Sequence, residues 1–332
     1  MRITVLTDNI EYKQFAAEWG LSILIEYDGR KYLLDTGASR LFADNAALLG
    51  IDIADVDFST LSHAHWDHAN GFDTFFALNS KAKLYLRKGT GENCYGTEDK
   101  TSEEDAEEEK RAVAVKEKLA KQAEHEDPVK ESPAAGSSAS DSTSEGATSA
   151  VESEADEEAR ALGYKYIGIR HGYLEKYRDR IEYVEGNYEL APGAKLIPHR
   201  TPGLDAIGRK AGMYLKIGSS IVPDDFRHEQ SLVFETPKGL IIFNSCSHGG
   251  ADNIIREVSK EYPGQKLYAM IGGFHLFELP DDEVRAFAGR VRETGIEHIL
   301  TGHCTGDPAM EILREELGDM AQQMHAGLQL DL

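Results

Sequence analysis

Residues 63 to 68 of this 332-residue chain read His-Ala-His-Trp-Asp-His, which puts three imidazoles and a carboxylate within six positions. The run Val56 to Leu61 stands directly before them and reads as a strand. Residues two apart on an extended chain point to the same side, so His63 and His65 can face one ion. Where the chain turns at the strand end, Asp67 and His68 can face a second. Imidazole with carboxylate suits zinc and admits iron or manganese, so one or two Zn ions are expected. Chance clustering in a polar loop would leave three imidazoles together for no packing reason. The motif predicts a metalloenzyme.

The rest of the chain supplies a scaffold for such a motif. Leu21 to Tyr27 and Arg30 to Leu34 flank Asp28-Gly29, a hairpin signal suited to a type I′ turn. Leu41 to Leu49 has helical spacing and ends at Gly50. Lys83 to Leu86 is a further short strand, Tyr173 to Arg180 a helix, and Ile181–Val184 and Lys195–Ile197 are strands. The C-terminal third alternates strand and helix. Strands at 239–243, 267–271 and 298–300 are followed by helices at 251–260, 281–293 and 308–317. Front-loaded hairpins with later alternation predict a layered α/β fold.

Composition changes sharply between residues 98 and 160. That stretch holds 20 acidic residues against 8 basic ones, a net of −12 within a chain total of −22. Thr101 to Glu126 carries Glu107–Arg111 and Glu117–Lys121 at helical spacing, and Ser132 to Glu154 is rich in Ser, Ala, Gly and Thr. The expected organisation is one domain formed by 1–97 and 161–332, interrupted by an acidic, largely disordered insertion at 98–160 whose partner is unknown. No basic patch is evident, which disfavours nucleic acid. No run approaches the roughly 20 apolar residues that span a bilayer, so no membrane is expected. The start reads as a strand and not as a signal peptide. Three irregularly spaced cysteines, Cys94, Cys246 and Cys304, argue for a reducing cytoplasm.

Three later polar clusters also follow apolar strands: Asn244 to Gly250, Gly272 to Leu276 and Thr301 to Gly306. Each carries a histidine, namely His248, His275 and His303. Strand carboxyl ends are where α/β sheets gather ligands, so these histidines are expected to converge on the first motif.

With these clusters the sequence resembles the metallo-β-lactamase fold superfamily. Within it, the likeness is to the branch of dihydropteroate-synthase-like proteins that includes the dihydropterin-methyl-ribofuranosylaminobenzene-phosphate synthases. Leu34 to Gly37, Ser62 to Gly71, His228 to Leu232, Cys246 to Gly249 with Asn253, Gly272 to Leu276 and His303 to Gly306 carry it. The resemblance implies an αββα sandwich, with two mixed sheets between helix layers and the site along one edge of both. It implies that His63 and His65 bind a first metal, that Asp67 and His68 bind a second, and that His303 is the final metal histidine. Asp35 resembles the buried carboxylate that orients a ligand.

One departure stands out. Most members of the superfamily carry a histidine shortly before a bridging aspartate. Here Cys246 stands where that aspartate belongs, on or near a metal, and His248 follows. His248 is expected to complete the first site, with His228 the alternative. Asp67 and His275 are the catalytic candidates, His275 serving as ligand, proton donor or substrate contact. His171 and His199, with Arg170 and Lys176, either meet an anionic substrate or form solvated surface. His125, His298 and His325 read as surface or packing residues, and Cys304 as a buried thiol.

The expected function is a metal-dependent hydrolase in which metal-activated water attacks an ester, lactone or phosphoester in a small-molecule substrate. A pterin-related condensing synthase is the alternative, as is a metal-binding or sensing protein without turnover.

Overall fold

The computed structural model of the protein describes residues 1–97 and 153–332. Strict alternation along its strands sets the layers. In Ser22–Tyr27, Ile23 and Ile25 enter one apolar cluster while Leu24 enters another; in Gly239–Phe243, Ile241 and Phe243 part in the same way from Leu240 and Ile242. Such strands are buried on both faces, so each sheet needs a cover on each side.

The first sheet runs Gln329–Asp331, Arg2–Thr7, Ser22–Tyr27, Arg30–Leu34, Phe58–Thr60, Lys83–Arg87 and Ile181–Val184. The second runs Ala321–Gln323, His298–Thr301, Leu267–Gly272, Gly239–Phe243, Gln230–Thr236, Ala194–Pro198 and Tyr188–Ala191. Both mix parallel and antiparallel pairs. Ile3, Val5, Tyr32 and Leu34 of the first sheet meet Leu232, Phe234, Phe243 and Ile271 of the second in a shared inner core. Leu41–Leu48 and Phe72–Leu78 cover the outer face of the first sheet. Ala251–Glu261, Asp281–Glu293 and Asp307–Leu317 cover that of the second. This is the expected αββα sandwich. The Asp28-Gly29 hairpin has φ of 49° and 71°, the paired positive values a type I′ turn requires.

Some features were not foreseen. A third, four-stranded sheet orders Ser220–Pro223, Met213–Ile217, Cys94–Thr97 and Tyr164–Tyr166, and its register is antiparallel throughout. The helix expected at 173–180 is one turn at Tyr173–Lys176, then a 3-10 turn at Arg178–Arg180. The expected insertion at 98–160 lies outside the described residues up to 152. Its last residues, however, form the helix Glu154–Ala161, capped by Ser153 in a reciprocal box with Asp156. Regular structure is therefore already present at Glu154–Ala161, ahead of the strand Tyr164–Tyr166. Buried Asp156 accepts hydrogen bonds from Tyr95 Oη at 2.7 Å and contacts His171 Nε2 at 2.8 Å, which ties this helix to the third sheet. No helix among the described residues is long and apolar enough to cross a membrane.

Candidate metal centre

Strand tips from both sheets meet at one edge. Asp35 follows Arg30–Leu34, residues 62–68 follow Phe58–Thr60, Cys246 and His248 follow Gly239–Phe243, His275 follows Leu267–Gly272, and His303 follows His298–Thr301. Asp35, Phe226, Ser247, His275 and His303 all have positive φ, between 48° and 57°. Non-glycine residues avoid this region, and such strain gathers where side chains must be aimed at a shared point.

The imidazoles converge. The His63 ring lies 4.5 Å from that of His65, 4.2 Å from His68 and 4.8 Å from His248, centroid to centroid. His248 is 5.0 Å from His65 and lies flat against Phe226 at 5.0 Å. His303 stands 4.9 Å from His68. Among the described residues, His63, Cys246 and His248 form one group with ligand-like spacing, and His68, Cys246 and His303 form another. Asp67 Oδ2 lies 3.4 Å from Nε2 of both His68 and His303. Cys246 Sγ is 3.2 Å from His68 Nε2.

Nitrogen after nitrogen in this cluster is buried and unpartnered: Nε2 of His63, His65 and His303, and both ring nitrogens of His248. Buried polar atoms are nearly always hydrogen-bonded, so several orphaned imidazole nitrogens aimed at one another fit a cation as their missing partner. Their electrostatics agree. Burial, then the neighbouring His68 and His65, pushes His63 well below the usual imidazole range. Burial with His228 takes His65 down to about 3. Burial and His275 lower His248 likewise. These rings are neutral, with lone pairs free to donate. Burial would raise Asp67, but His68 and His303 overcome it and hold the carboxylate well below its ordinary value.

The supporting contacts orient the rings. Asp35 Oδ1 accepts from Ser62 N at 2.7 Å, while Oδ2 accepts from Ser62 Oγ at 2.6 Å and contacts His68 Nδ1 at 2.9 Å. Ser62 Oγ also sits 2.7 Å from His63 Nδ1, so one carboxylate orients two imidazoles. Asp35→Asn puts an NH2 donor against Ser62 Oγ and His68 Nδ1. A loss of about 10- to 100-fold in metal affinity is expected, read by competition with a chelator. Wild-type affinity would remove Asp35 from this role.

Other partners escaped the sequence reading. Asp8 Oδ2 accepts from His303 N at 3.1 Å, and Asn9 Oδ1 lies 3.0 Å from His303 Nδ1. Asp8-Asn9 directly follows the first strand, Arg2–Thr7, the same signal that marked the later clusters. Glu229 is buried, its Oε1 accepts from His248 N at 3.2 Å, and its Oε2 is 3.4 Å from His199 Nδ1. Burial raises Glu229 to about 8. A carboxyl whose folded pKa lies above its unfolded value stabilises the fold at low pH, and this contribution is lost as pH rises through 8. Glu229→Gln, neutral at every pH, should therefore flatten the fall in stability between about pH 5 and 8. Denaturant titrations across that window test this; parallel wild-type and variant curves would sink it.

The remaining candidates are placed as follows. His228 falls in a different ligand-spaced group among the described residues, with His65, Cys94 and Asp224; its Nδ1 accepts from Ala64 N at 3.1 Å and its Nε2 faces Asp224 at 2.9 Å. His275 joins no ligand-spaced group among the described residues, but stands 4.6 Å from the His248 ring with its Nδ1 unpartnered. The His199 side chain is buried against Asn244, and His171 faces Asp156; Arg170 and Lys176 pair with Asp73. None of the four is arranged to greet an anion.

A cleft of about 160 Å³ opens over the cluster, lined by His65, Asp67, Cys246, His248, His275, His303 and Cys304. Trp19, Trp66 and Phe277 form its rim and are 44%, 38% and 40% exposed.

The description of the metallo-β-lactamase superfamily matches residues 20–141. A crystal structure described as a metal-dependent hydrolase of the β-lactamase superfamily superposes with a TM-score of 0.69 at 24% identity, covering 100% of this chain and 99% of the other. The chain has the metallo-β-lactamase fold. A 7,8-dihydropterin-6-methyl-4-(β-D-ribofuranosyl)-aminobenzene-5′-phosphate synthase from Methanocaldococcus jannaschii is 25% identical over 94% of this chain and 90% of its own length. An uncharacterised protein of the same organism is 23% identical over 94% of both chains. Among the described residues, the chain presents His, Cys and Asp groups able to hold a metal at one edge of this fold.

Proposed function

We propose that the protein is a metal-dependent hydrolase acting on an ester, lactone or phosphoester bond in a small molecule. The observation that carries this reading is the set of buried, unpartnered imidazole nitrogens on the floor of an open cleft. His63, His65 and His248 would hold one ion, and Asp67, His68, Cys246 and His303 a second. Zinc suits this mixed nitrogen, oxygen and sulfur donor set, with iron or manganese as substitutes. Ions bound there would supply Lewis acidity and lower the pKa of coordinated water to about 7.

The chain's own residues would do the remaining work. Asp35 and Ser62 fix the ring orientations, and Asp8 and Asn9 do the same for His303. Asp67, ionised between His68 and His303, would offer Oδ2 to the second ion and help orient a water beside it. His275 lines the cleft beside His248 and is placed to contact the substrate or give a proton to a leaving group.

The test combines elemental analysis with assays on ester, lactone and phosphodiester panels, before and after metal reconstitution. Metal-dependent turnover on one panel supports the hydrolase. Bound metal without turnover on any panel would overturn it and leave a metal-binding or sensing role.

A pterin-linked synthase is the second reading, favoured by the aromatic rim and by the name of the Methanocaldococcus relative. Trp19, Trp66 and Phe277 offer faces on which a planar ring can stack. The chain's two tryptophans both stand at this rim. Quenching of intrinsic fluorescence by ring-bearing compounds, with a condensation product found by mass spectrometry, would favour the synthase.

A further inference from the structure

Cys246 and Cys304 place their sulfurs 3.5 Å apart on the floor of the cleft. They arrive from different strand tips, Cys246 after Gly239–Phe243 and Cys304 in the 3-10 turn His303–Thr305 that follows His298–Thr301. Strand Leu267–Gly272 lies between those two, and Gly273 at its end keeps the sulfurs close. A Cβ at Gly273 would sit 2.6 Å from Cys304 Sγ and 2.5 Å from Ser245 O, so a side chain there would displace the thiol. The third cysteine, Cys94, lies elsewhere, 3.9 Å from His228. His275 N donates to Cys304 Sγ at 3.3 Å, a contact that favours sulfur carrying negative charge. Both thiols are buried within the protein, and the cleft gives a small solute a route to them.

We propose that Cys246 and Cys304 are an oxidisable pair, which a hydroperoxide-class oxidant entering the cleft converts to a disulfide. Cys304 sulfur takes the terminal peroxide oxygen; an S–O bond forms, the O–O bond breaks, and water or an alcohol leaves. Cys246 sulfur then attacks the sulfenic sulfur. The S–S bond forms, the S–O bond breaks, and the departing hydroxide takes the thiol proton to leave as water. Two electrons pass from the sulfur pair to the peroxide. A disulfide needs its sulfurs about 2.05 Å apart, so the pair must close by roughly 1.5 Å. Closure turns Cys246 away from His68. On the reading of Cys246 as a metal donor, oxidation also removes one donor from the second site. The disulfide itself does not depend on that reading.

The experiment uses the full, metal-loaded chain treated with equimolar hydrogen peroxide. Free thiols are counted after denaturation, intact mass is recorded, and released metal is measured in the same samples. Thiols are expected to fall from three to one, with a mass loss of about 2 Da reversed by dithiothreitol and a peptide linking 246 to 304. In Cys304→Ser no such loss should occur, and oxidation should instead add about 16 Da or multiples of it. Persistence of three thiols, separate sulfinic or sulfonic products in the unaltered chain, or a disulfide that includes Cys94 would each overturn the pairing. A 246–304 disulfide formed without metal release upholds the pair and counts against Cys246 as a ligand, so the two ideas fail separately.

Discussion

His63→Ala is expected to empty the first metal position and to abolish turnover, while the protein stays folded. His63 Nε2 is buried, neutral and unpartnered, and the His63 ring is within 5 Å of three other imidazoles. Removing it takes away a direct donor, where removing a supporting partner alone costs about 10- to 100-fold. The loss in activity should therefore exceed about 100-fold. The metal-free protein gains from losing a buried polar atom with no partner, which offsets part of the cavity left behind. Its unfolding midpoint should consequently move less than after truncation of an apolar core residue such as Phe75. Asp67→Ala should act on the second position in the same manner, since its carboxylate lies between His68 and His303. Elemental analysis beside thermal unfolding separates loss of metal from loss of fold. Full metal content in both variants would refute the assignment of these donors.

The layered α/β class was legible in the early hairpin and the later strand–helix alternation, whereas the αββα sandwich came from the resemblance to a known superfamily. The convergence of the strand tips was legible because a polar cluster follows each apolar run. His248 was expected ahead of His228, and both follow or precede suitable strands; the contacts of the His228 ring with Ala64 N and Asp224 come from positions that no local pattern marks. Glu229 was missed, and His199 was read as a substrate contact or solvated surface, for a related reason. A buried carboxyl beneath a loop has no periodicity to betray it, and His199 resembles a surface residue between Pro198 and Arg200. The third sheet joins Cys94–Thr97 to Tyr164–Tyr166 across residues 98–152, a pairing that no short-range pattern encodes. Residues 153–160 share the acidic composition of the stretch before them, yet Ser153 and Asp156 cap a helix there, which composition alone does not reveal.

Gly272→Ala should be among the most damaging single changes available outside the cluster. Gly272 closes strand Leu267–Gly272 with φ +141°, and a Cβ built there would lie 1.7 Å from Asn244 O and 2.6 Å from Asn244 C. That neighbour is backbone and cannot swing aside. It is held by Asn244 N donating to Ile271 O at 3.0 Å, and Gly273 N donates to Ser245 O at 2.8 Å. The alanine must therefore pry apart the tip carrying Cys246 and His248 from the tip carrying His275. Overpacking costs about 1–3 kcal/mol, and a side chain in this backbone region about 1–3 more. Their sum is a large share of a typical domain's stability of about 5–15 kcal/mol. Gly29→Ala is the matched control, because φ is also positive at +71° but nothing lies within 4 Å of its Cβ. It should cost only about 1–2 kcal/mol, the penalty of the left-handed backbone alone. Urea unfolding of both variants reads the difference, and metal content reads whether the tips have parted. Equal losses in the two would mean that the close approach at Asn244 is not what holds this edge together.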